Sequence, residues 1–252
     1  MTTTIDDYLP AVPWVEDRDR KGRSPRDGYV RGWGLQFAGL RDLVRADPVY
    51  REAVVLAEGR SVMAEDNRLN LFLLLRFFLP RLPFGHVAEF GAYRAGNSMF
   101  MARVLQRTLP GAKVYAFDTF AGMPGTDISI DAHRPGDFFD VDLAELRSTA
   151  TANGLDNLEF IDGLFEVTAT PYLANTGPIA LAHIDSDIYS GIAAAYDAVK
   201  PHMVPGGYYV FDDATVASCL GATEAVEELV IRRDHLHAEQ IFPQFVFRAA
   251  KP

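Results

Sequence analysis

Five short apolar runs alternate with helical stretches in the later part of this 252-residue chain, and this alternation limits the possible folds more than any other feature. The runs are His86 to Gly91, Lys113 to Asp118, Leu158 to Gly163, Ile179 to Asp185 and Tyr208 to Asp213. Strands separated by helices are typical of βαβ units, which build a parallel sheet. The pattern therefore predicts an α/β fold with a doubly wound, mostly parallel sheet. A last β pair or edge strand is expected within residues 241–248.

The residues before the sheet divide into two segments. Residues 1–34 are rich in charge, proline and glycine and show no clear period, which predicts an arm or a surface lid. In residues 35–82 apolar residues recur three and four positions apart, which predicts a cap of two or three helices. We expect residues 1–82 to form this N-terminal arm and helical cap. Residues 83–252 then form the domain that contains the sheet.

Composition excludes several classes of function. The chain has 24 Lys and Arg against 34 Asp and Glu, and its net charge of -10 has the wrong sign for binding nucleic-acid phosphates. The longest apolar stretch, Leu69 to Pro83, contains two arginines and is too short to span a bilayer. The first ten residues lack the features of a signal peptide, and the single cysteine, Cys219, suits a reducing compartment. We expect a cytoplasmic protein without nucleic-acid or membrane partners.

The first predicted strand ends in a loop that is suited to ligand binding. In doubly wound sheets, ligands bind outside the carboxyl ends of the strands. Here Glu89 and Gly91 end the strand, and the loop continues through Gly96 into a helix. Glycine permits a tight turn, and the free N–H groups of the helix start can receive a carboxylate or phosphate. The glycine spacing differs from the GxGxxG pattern and disfavours a dinucleotide, while a purely structural turn explains the loop equally well.

Two further acidic strand ends strengthen the interpretation as a cofactor site. Asp118 follows Gly96 by 22 residues, where an acidic side chain binds the ribose hydroxyls in Rossmann-like sites. Asp162, which precedes Gly163, is expected near an adenine edge. Each aspartate could instead cap the following helix, which is the commoner role for aspartate after a strand. Three acidic strand ends in succession favour the cofactor interpretation.

A group of four aspartates follows the last two predicted parallel strands. Asp185 and Asp187 are two residues apart and share a face if the extended geometry persists to the strand end. Asp212 and Asp213 come one βαβ crossover later, which brings the two strand ends together. Crowded carboxylates raise one another's pKa, so a bound cation is the natural compensation. Oxygen ligands favour Mg²⁺ or Ca²⁺ over zinc, although exposed strand-end acids and helix caps would give the same pattern.

An ordered series of motifs then resembles a known family. Between residues 63 and 248 the chain contains MAEDNRL, EFGAYRAGNS, FDTFAGMP, DGLF, HIDSDIY, GGYYVFDD and GATEAVEEL. In this order they are similar to the macrocin O-methyltransferase (TylF-like) family of S-adenosylmethionine-dependent sugar O-methyltransferases from antibiotic biosynthesis. The resemblance implies a class I methyltransferase, Rossmann-like fold with an N-terminal helical region. It makes residues 83–252 the S-adenosylmethionine-binding methyltransferase domain.

The resemblance also implies roles for individual residues. The implied cofactor-binding residues are Met63, Glu89, Gly91, Tyr93, Ser98, Asp118, Thr119, Phe120, Asp162 and Gly163. The implied ligands of Mg²⁺ or another divalent metal are Asp185, Asp212 and Asp213. Asp187 matches the general base. The chain departs from the family at Ala95, where a second glycine is common, and in residues 125–140, which do not align and would cover the substrate.

These features predict a metal-dependent O-methyltransferase that acts on a hydroxyl of a sugar moiety of a small-molecule natural product. A catechol-type O-methyltransferase is an alternative, because a catechol also presents vicinal oxygens. A non-catalytic cofactor-binding protein of the same fold is the other alternative. The aspartate group favours an enzyme, because binding adenine and ribose does not require it.

Other residues also bear on chemistry or assembly. His133, in the loop, could act as a second base or contact the substrate, but a solvated loop histidine is more common. His183 is expected to be a hydrogen-bonded strand histidine, and Cys219 has no histidine and acid beside it that would make it a nucleophile. Apolar residues beyond the needs of one sheet face predict a homodimer or higher oligomer. These residues are Leu71, Leu74 and Leu75.

Overall fold

A six-stranded, mostly parallel sheet forms the centre of the computed structural model, which describes Ile5 and residues 18–250. The strands are β1 (His86–Phe90), β2 (Val114–Asp118), β3 (Leu158–Asp162), β4 (Ile179–Ile184), β5 (Met203–Phe211) and β6 (Phe245–Arg248). Their order across the sheet is β3-β2-β1-β4-β5-β6, and β6 alone runs antiparallel, paired with β5. The prediction of a doubly wound α/β fold with a final edge strand is confirmed.

Side chains alternate between the two faces of the sheet and so create two apolar cores. Val87 faces one core and Ala88 the other, and Val210 and Phe211 divide in the same way. Helices α5 (Gly96–Thr108) and α6 (Leu143–Ala152) cover the first face. The second face carries α7 (Phe165–Leu173), α8 (Tyr189–Val199) and α9 (Leu220–Ala225), which continues as a π-helix over Val226–Arg233. Burial on both faces explains why the parallel strands are almost wholly apolar.

More helices precede the sheet than the sequence predicted. They are α1 (Pro25–Phe37), α2 (Leu40–Ala46), α3 (Pro48–Val54) and α4 (Glu65–Leu73), and α4 continues through a π turn (Leu74–Phe78) and a 3₁₀ turn (Leu79–Arg81). Their buried residues belong to the same core as the first face of the sheet. The boundary at residue 82 therefore stays a prediction about domains. No helix among the described residues has the length and apolarity needed to cross a membrane.

Within the predicted arm, residues 25–34 form most of α1 although they show no clear apolar period. Ser24 caps this helix by accepting a hydrogen bond from the backbone N–H of Asp27 at 3.3 Å. The helix lacks an apolar period because glycines occupy its contact face. A Cβ atom on Gly28 would lie 1.9 Å from the carbonyl oxygen of Glu239, so this helix packs directly against backbone. For the rest of the predicted arm, the structure describes only Ile5 and residues 18–24. The other arm residues lie outside the described residues.

The leucines that suggested a subunit interface are buried within the chain. Leu71, Leu74 and Leu75 have no exposed surface and belong to the core that joins the N-terminal helices to the sheet. Their apolar surface is buried against α5 and the neighbouring N-terminal helices. The argument for an oligomer from these three residues is therefore wrong, and assembly itself stays a prediction.

Candidate active site

The carboxyl ends of β1, β2, β4 and β5 surround a cavity of about 330 Å³. It lies where the strand order reverses between β1 and β4, which is the position at which doubly wound sheets bind ligands. Nine of the residues singled out from the sequence line it: Met63, Gly91, Tyr93, Asp118, Thr119, Asp185, Asp187, Asp212 and Asp213. One cavity thus joins five of the ten predicted cofactor residues to the aspartate group.

Backbone hydrogen bonds fix the carboxylate of Asp118 at the end of β2. One oxygen accepts from the N–H of Tyr93 and the other from the N–H of Phe120, each at 2.8 Å. Burial raises the pKa of this carboxyl, and these two donors counteract part of that effect. Each oxygen retains a lone pair for a further donor. The fixed carboxylate can therefore accept hydrogen bonds from a pair of hydroxyl groups.

Gly91 allows the end of β1 to approach the turn after β4. Its φ of +96° lies in the left-handed region, and a Cβ atom here would lie 1.5 Å from the carbonyl oxygen of Asp185. Only glycine fits this contact. Ala95, the departure from the family pattern, also has a left-handed φ of 54°, so the position requires the conformation that glycine adopts most easily.

Three carboxylates converge at the ends of β4 and β5. Ligand oxygens of Asp185, Asp212 and Asp213 all lie within 4.8 Å of one another. Burial, followed by the charges of the neighbouring aspartates, raises the pKa of Asp185 and Asp213 well above the ordinary value. A divalent cation would relieve this repulsion, and a set of oxygen donors fits Mg²⁺.

Two side-chain amides orient Asp212. Its Oδ1 atom accepts from Nδ2 of Asn67 at 3.0 Å and from Nε2 of Gln244. Because both donors bind Oδ1, the Oδ2 atom can serve as a metal ligand. Gln244 continues into a buried amide chain, since its Oε1 accepts from Asn70 at 3.1 Å. The sequence did not reveal this network, because the amides come from segments far from Asp212 in the chain.

We expect Asn67→Leu to weaken Mg²⁺ binding about tenfold, because the change frees the carboxylate of Asp212 to rotate. Isothermal titration calorimetry with Mg²⁺ measures this effect. The matched control is Asn153→Leu, the same change at the end of α6, outside the cavity lining. Equal Mg²⁺ affinity in wild type and Asn67→Leu would exclude a positioning role for this amide.

Asp187 lies beside the three converging carboxylates but faces other partners. The extended geometry that would give it a common strand face with Asp185 does not persist, because β4 ends at Ile184 and Asp187 has a left-handed φ of 61°. This turn places its backbone N–H 2.9 Å from Oδ2 of Asp213. Burial raises the pKa of the Asp187 carboxyl, and nearby His133 lowers it. Asp187 is thus held next to the three converging carboxylates but is not one of them.

The remaining predicted cofactor residues lie behind or beside the cavity. Glu89 and Ser98 are fully buried and hydrogen-bonded to each other, and Phe120 packs against Phe160 with ring centroids 5.9 Å apart. Asp162 is exposed, and the N–H of Gly163 donates to the carbonyl of Asp118 at 2.9 Å. None of these five lines the cavity, so their contact with a cofactor stays a prediction.

His183 is a buried strand histidine whose Nδ1 atom lies 3.2 Å from Oε1 of Glu89, as the sequence suggested. Its Nε2 atom lies 3.6 Å from Oδ1 of Asp212, which is longer than a hydrogen bond. Burial alone would lower the pKa of His183, but Asp212 and Glu89 outweigh it and raise the pKa to about 9. His183 therefore stabilises the carboxylates behind the cavity and is not exposed to a ligand.

The loop after β2, which did not align with the family, forms one wall of the cavity. Phe138 lines the cavity and packs edge-on against Tyr93 with ring centroids 5.2 Å apart. Asp131 anchors the loop, since its Oδ1 accepts from the N–H of Tyr189 at the start of α8 at 3.1 Å. Gly221 leaves room for this carboxylate, because a Cβ atom there would lie 2.0 Å from the same oxygen. The sequence did not reveal the contacts that anchor this wall, because they join distant segments of the chain.

Solved structures with the same fold are methyltransferases. The O-methyltransferase NovP superposes with a TM-score of 0.63 at 23% identity, covering 84% of this chain and 95% of that chain. The calicheamicin methyltransferase CalS11 superposes with a TM-score of 0.60 at 20% identity, covering 86% of this chain and 91% of that chain. The prediction of a class I methyltransferase fold is confirmed.

Sequence comparison gives the family. Residues 81–237 match the family described as Macrocin-O-methyltransferase (TylF), and the chain belongs to this family. A tetracenomycin-C 4'-O-methyltransferase of Streptomyces olivaceus, whose full name specifies a dimethoxy-rhamnosyl substrate, is 30% identical over 148 residues, 55% of this chain and 56% of the relative. Mycinamicin III 3''-O-methyltransferase of Micromonospora griseorubida is 26% identical over 159 residues, 57% of this chain and 59% of the relative. The matches span little more than half the length of these curated relatives.

Proposed function

We propose that this chain is an S-adenosylmethionine-dependent, divalent-metal-dependent O-methyltransferase that methylates a hydroxyl of a sugar moiety of a small-molecule natural product. One observation carries the proposal. The cavity that contains the fixed carboxylate of Asp118 also contains the convergent carboxylates of Asp185, Asp212 and Asp213. Membership of the macrocin-O-methyltransferase family supports the reaction class, and the names of both curated relatives support a glycoside acceptor.

The residues of the cavity have three roles in the proposed reaction. Asp118 accepts hydrogen bonds from the ribose hydroxyls of the cofactor, while Gly91 lets the end of β1 approach the turn after β4. Asp185, Asp212 and Asp213 would hold the cation, which would lower the pKa of the acceptor hydroxyl and help to orient it. Asp187 accepts the proton that the hydroxyl loses as the methyl group is transferred.

Apolar side chains help to separate this chemistry from water. Phe138, Leu164 and Val216 line the cavity beside the aspartates. A drier cavity strengthens the interaction between the acceptor and the carboxylate of Asp187. It also limits the positions that the acceptor can adopt, and methyl transfer requires the oxygen to lie in line with the sulfonium methyl.

A methyl-transfer screen tests the proposal directly. Purified protein is incubated with labelled S-adenosylmethionine and a panel of glycosides and catechols, with Mg²⁺ or with EDTA. We expect transfer to a glycoside only when Mg²⁺ is present. Full activity in EDTA would exclude the metal, and a clear preference for catechols would favour the alternative acceptor class.

We expect Asp118→Ala to weaken S-adenosylhomocysteine binding by about 1–3 kcal/mol, because the ribose hydroxyls lose their acceptor. Calorimetry without metal measures this effect, since the proposed ribose contact does not involve the cation. Asp162→Ala is the informative comparison, because Asp162 ends the neighbouring strand but is exposed and outside the cavity lining. Unchanged affinity in Asp118→Ala would remove this aspartate from the cofactor site.

The proposal also includes a cytoplasmic location and a homodimer or higher oligomer. The single cysteine motivates the reducing compartment. The three leucines are buried within the chain and do not form a subunit interface. Light scattering at micromolar concentration tests the proposed oligomer, and a monomeric mass would contradict it.

A further inference from the structure

A second group of metal-ligand side chains lies beside the three convergent carboxylates. It consists of His133 from the loop after β2, Asp187 from the turn after β4, and Cys219, the residue before α9. Oδ1 of Asp187 lies 3.3 Å from Nε2 of His133 and 3.4 Å from Sγ of Cys219. Sγ of Cys219 and Nε2 of His133 are 4.0 Å apart. Three different donor types from three separate segments therefore point at one small volume.

These spacings match those of a four-coordinate zinc ion. With bonds of about 2.0–2.3 Å and tetrahedral angles, the ligand atoms of zinc lie about 3.3–3.6 Å apart. The distances from Asp187 to His133 and Cys219 already fall in that range. The sulfur and the imidazole need to approach by only a few tenths of an ångström. Three protein ligands leave a fourth position for water or another small ligand.

The other ring nitrogen of His133, Nδ1, has the kind of partner that metal-binding histidines have. Its Nδ1 atom lies 3.2 Å from Oδ2 of Asp137, and the same oxygen accepts from the N–H of Arg134 at 2.9 Å. A carboxylate on Nδ1 fixes the tautomer in which Nε2 carries the free lone pair. The ring also packs against Phe138 with centroids 5.5 Å apart. His133 is therefore held with its ligand atom facing Asp187 and Cys219.

The donor types distinguish this group from the convergent carboxylates. Sulfur and imidazole favour zinc over magnesium, whereas the three carboxylates offer only oxygen. Mg²⁺ has little affinity for sulfur, whereas zinc binding releases the proton of the Cys219 thiol. A thiolate and a carboxylate then balance the charge of the dication.

We propose that His133, Cys219 and Asp187 form a second metal site that selects Zn²⁺ and, when filled, occupies the proton-accepting carboxylate of Asp187. Metal binding at this site does not require the proposed reaction to be correct. Its consequence rests on the proposed function, because a zinc-bound Asp187 cannot accept the proton of an acceptor hydroxyl. Zinc therefore inhibits methyl transfer by binding outside the Mg²⁺ site, so added Mg²⁺ does not prevent the inhibition.

Cobalt titration tests the site without requiring activity. Co²⁺ is added to the full chain in the presence of excess Mg²⁺, which fills the oxygen-only cluster. A sulfur-to-cobalt charge-transfer band in the near ultraviolet should saturate at one ion per chain and disappear when Zn²⁺ is added. Cys219 is the only cysteine in the sequence, so this band can arise from no other residue. Cys219→Ser should abolish it.

Variants of the other donors sharpen the test. His133→Ala removes a ligand and should weaken cobalt binding by at least about tenfold, and Asp137→Ala should weaken it by about tenfold through the outer contact. His202→Ala is the matched control, because His202 lies at the amino end of β5, whereas the cavity lies at the carboxyl ends of the strands. Absence of the band in wild type, or equal cobalt affinity in wild type and His133→Ala, would overturn the site.

A zinc-inhibition assay separates the site from its consequence. Zn²⁺ at the concentration that displaces cobalt should stop methyl transfer by wild type, whereas Cys219→Ser should keep the rate that it has without zinc. Equal inhibition of both proteins would place the inhibitory ion elsewhere and overturn the blocking role. Failure of the proposed function has a different signature, since methyl transfer is then absent without zinc while the cobalt band remains.

Discussion

Asp187→Asn should lower kcat by about 10²–10⁴-fold, which is the usual contribution of a general base. The substitution keeps an oxygen for the thiol of Cys219, and it leaves the backbone contact with Asp213 in place. It removes only the capacity to accept a proton. Steady-state kinetics against Mg²⁺ concentration, with EDTA as the zero point, should show a defect in kcat that added metal does not relieve. Recovery at high Mg²⁺ would instead make Asp187 a metal ligand.

Asp212→Asn provides the contrasting case. The new side chain still offers an oxygen to Asn67 and Gln244, so its position is retained. It loses the negative charge that attracts the cation, which weakens Mg²⁺ binding. We expect low activity at ordinary Mg²⁺ and partial recovery at high Mg²⁺. A defect that is the same at every metal concentration would exclude Asp212 from the metal site.

Asp187 is expected to differ from the metal-binding aspartates because the turn after β4 separates its side chain from that of Asp185, two residues earlier. Alternation along a strand predicted a common face for Asp185 and Asp187, but the left-handed backbone at Asp187 redirects its side chain. Such a conformation is uncommon for a residue other than glycine, and nothing in the pattern HIDSD signals it. Non-glycine residues with positive φ also flank the cavity at Tyr93 and Phe120. Backbone strain of this kind concentrates at functional sites.

The sequence predicted the sheet well because its central strands are buried on both faces. Mostly apolar runs such as Ile179–Ile184 are distinctive, and the acidic residues that end them mark the ligand-binding edge. Helix α1 was missed because its glycines serve close packing and remove the apolar period. Propensity and period describe local structure, whereas a glycine contact with Glu239 depends on where the end of the chain returns.

The same limit applies to the site. Strand-end aspartates follow from topology, so Asp118 and Asp212 were predictable from their spacing. The side chains that orient them were not, since Gln244 reaches Asp212 only after β6 folds back along β5. His133 was expected to be a solvated loop residue. Its contacts with Asp137 and Asp187 arise because Asp131 ties the loop to the start of α8.

Gly91→Ala should destabilise the protein by about 3 kcal/mol or more, because the added methyl group collides with backbone. Its Cβ atom would lie 1.5 Å from the carbonyl oxygen of Asp185, and no rotation of a side chain relieves that contact. The ends of β1 and β4 must separate, which moves Asp185 away from Asp212 and Asp213. Urea unfolding measures the loss of stability, and calorimetry should show weaker binding of both S-adenosylhomocysteine and Mg²⁺.

Gly154→Ala distinguishes collision from backbone strain. Gly154 also has a positive φ, +65°, but no atom lies within 4 Å of the position of its Cβ. A left-handed alanine costs about 1–2 kcal/mol relative to glycine, and Gly154→Ala should show this cost alone, with ligand binding unchanged. Gly91→Ala carries the same strain and adds the displacement of two strand ends. Equal destabilisation by the two substitutions would mean that the backbone at Asp185 yields freely, and Gly91 would then contribute only its conformation to the site.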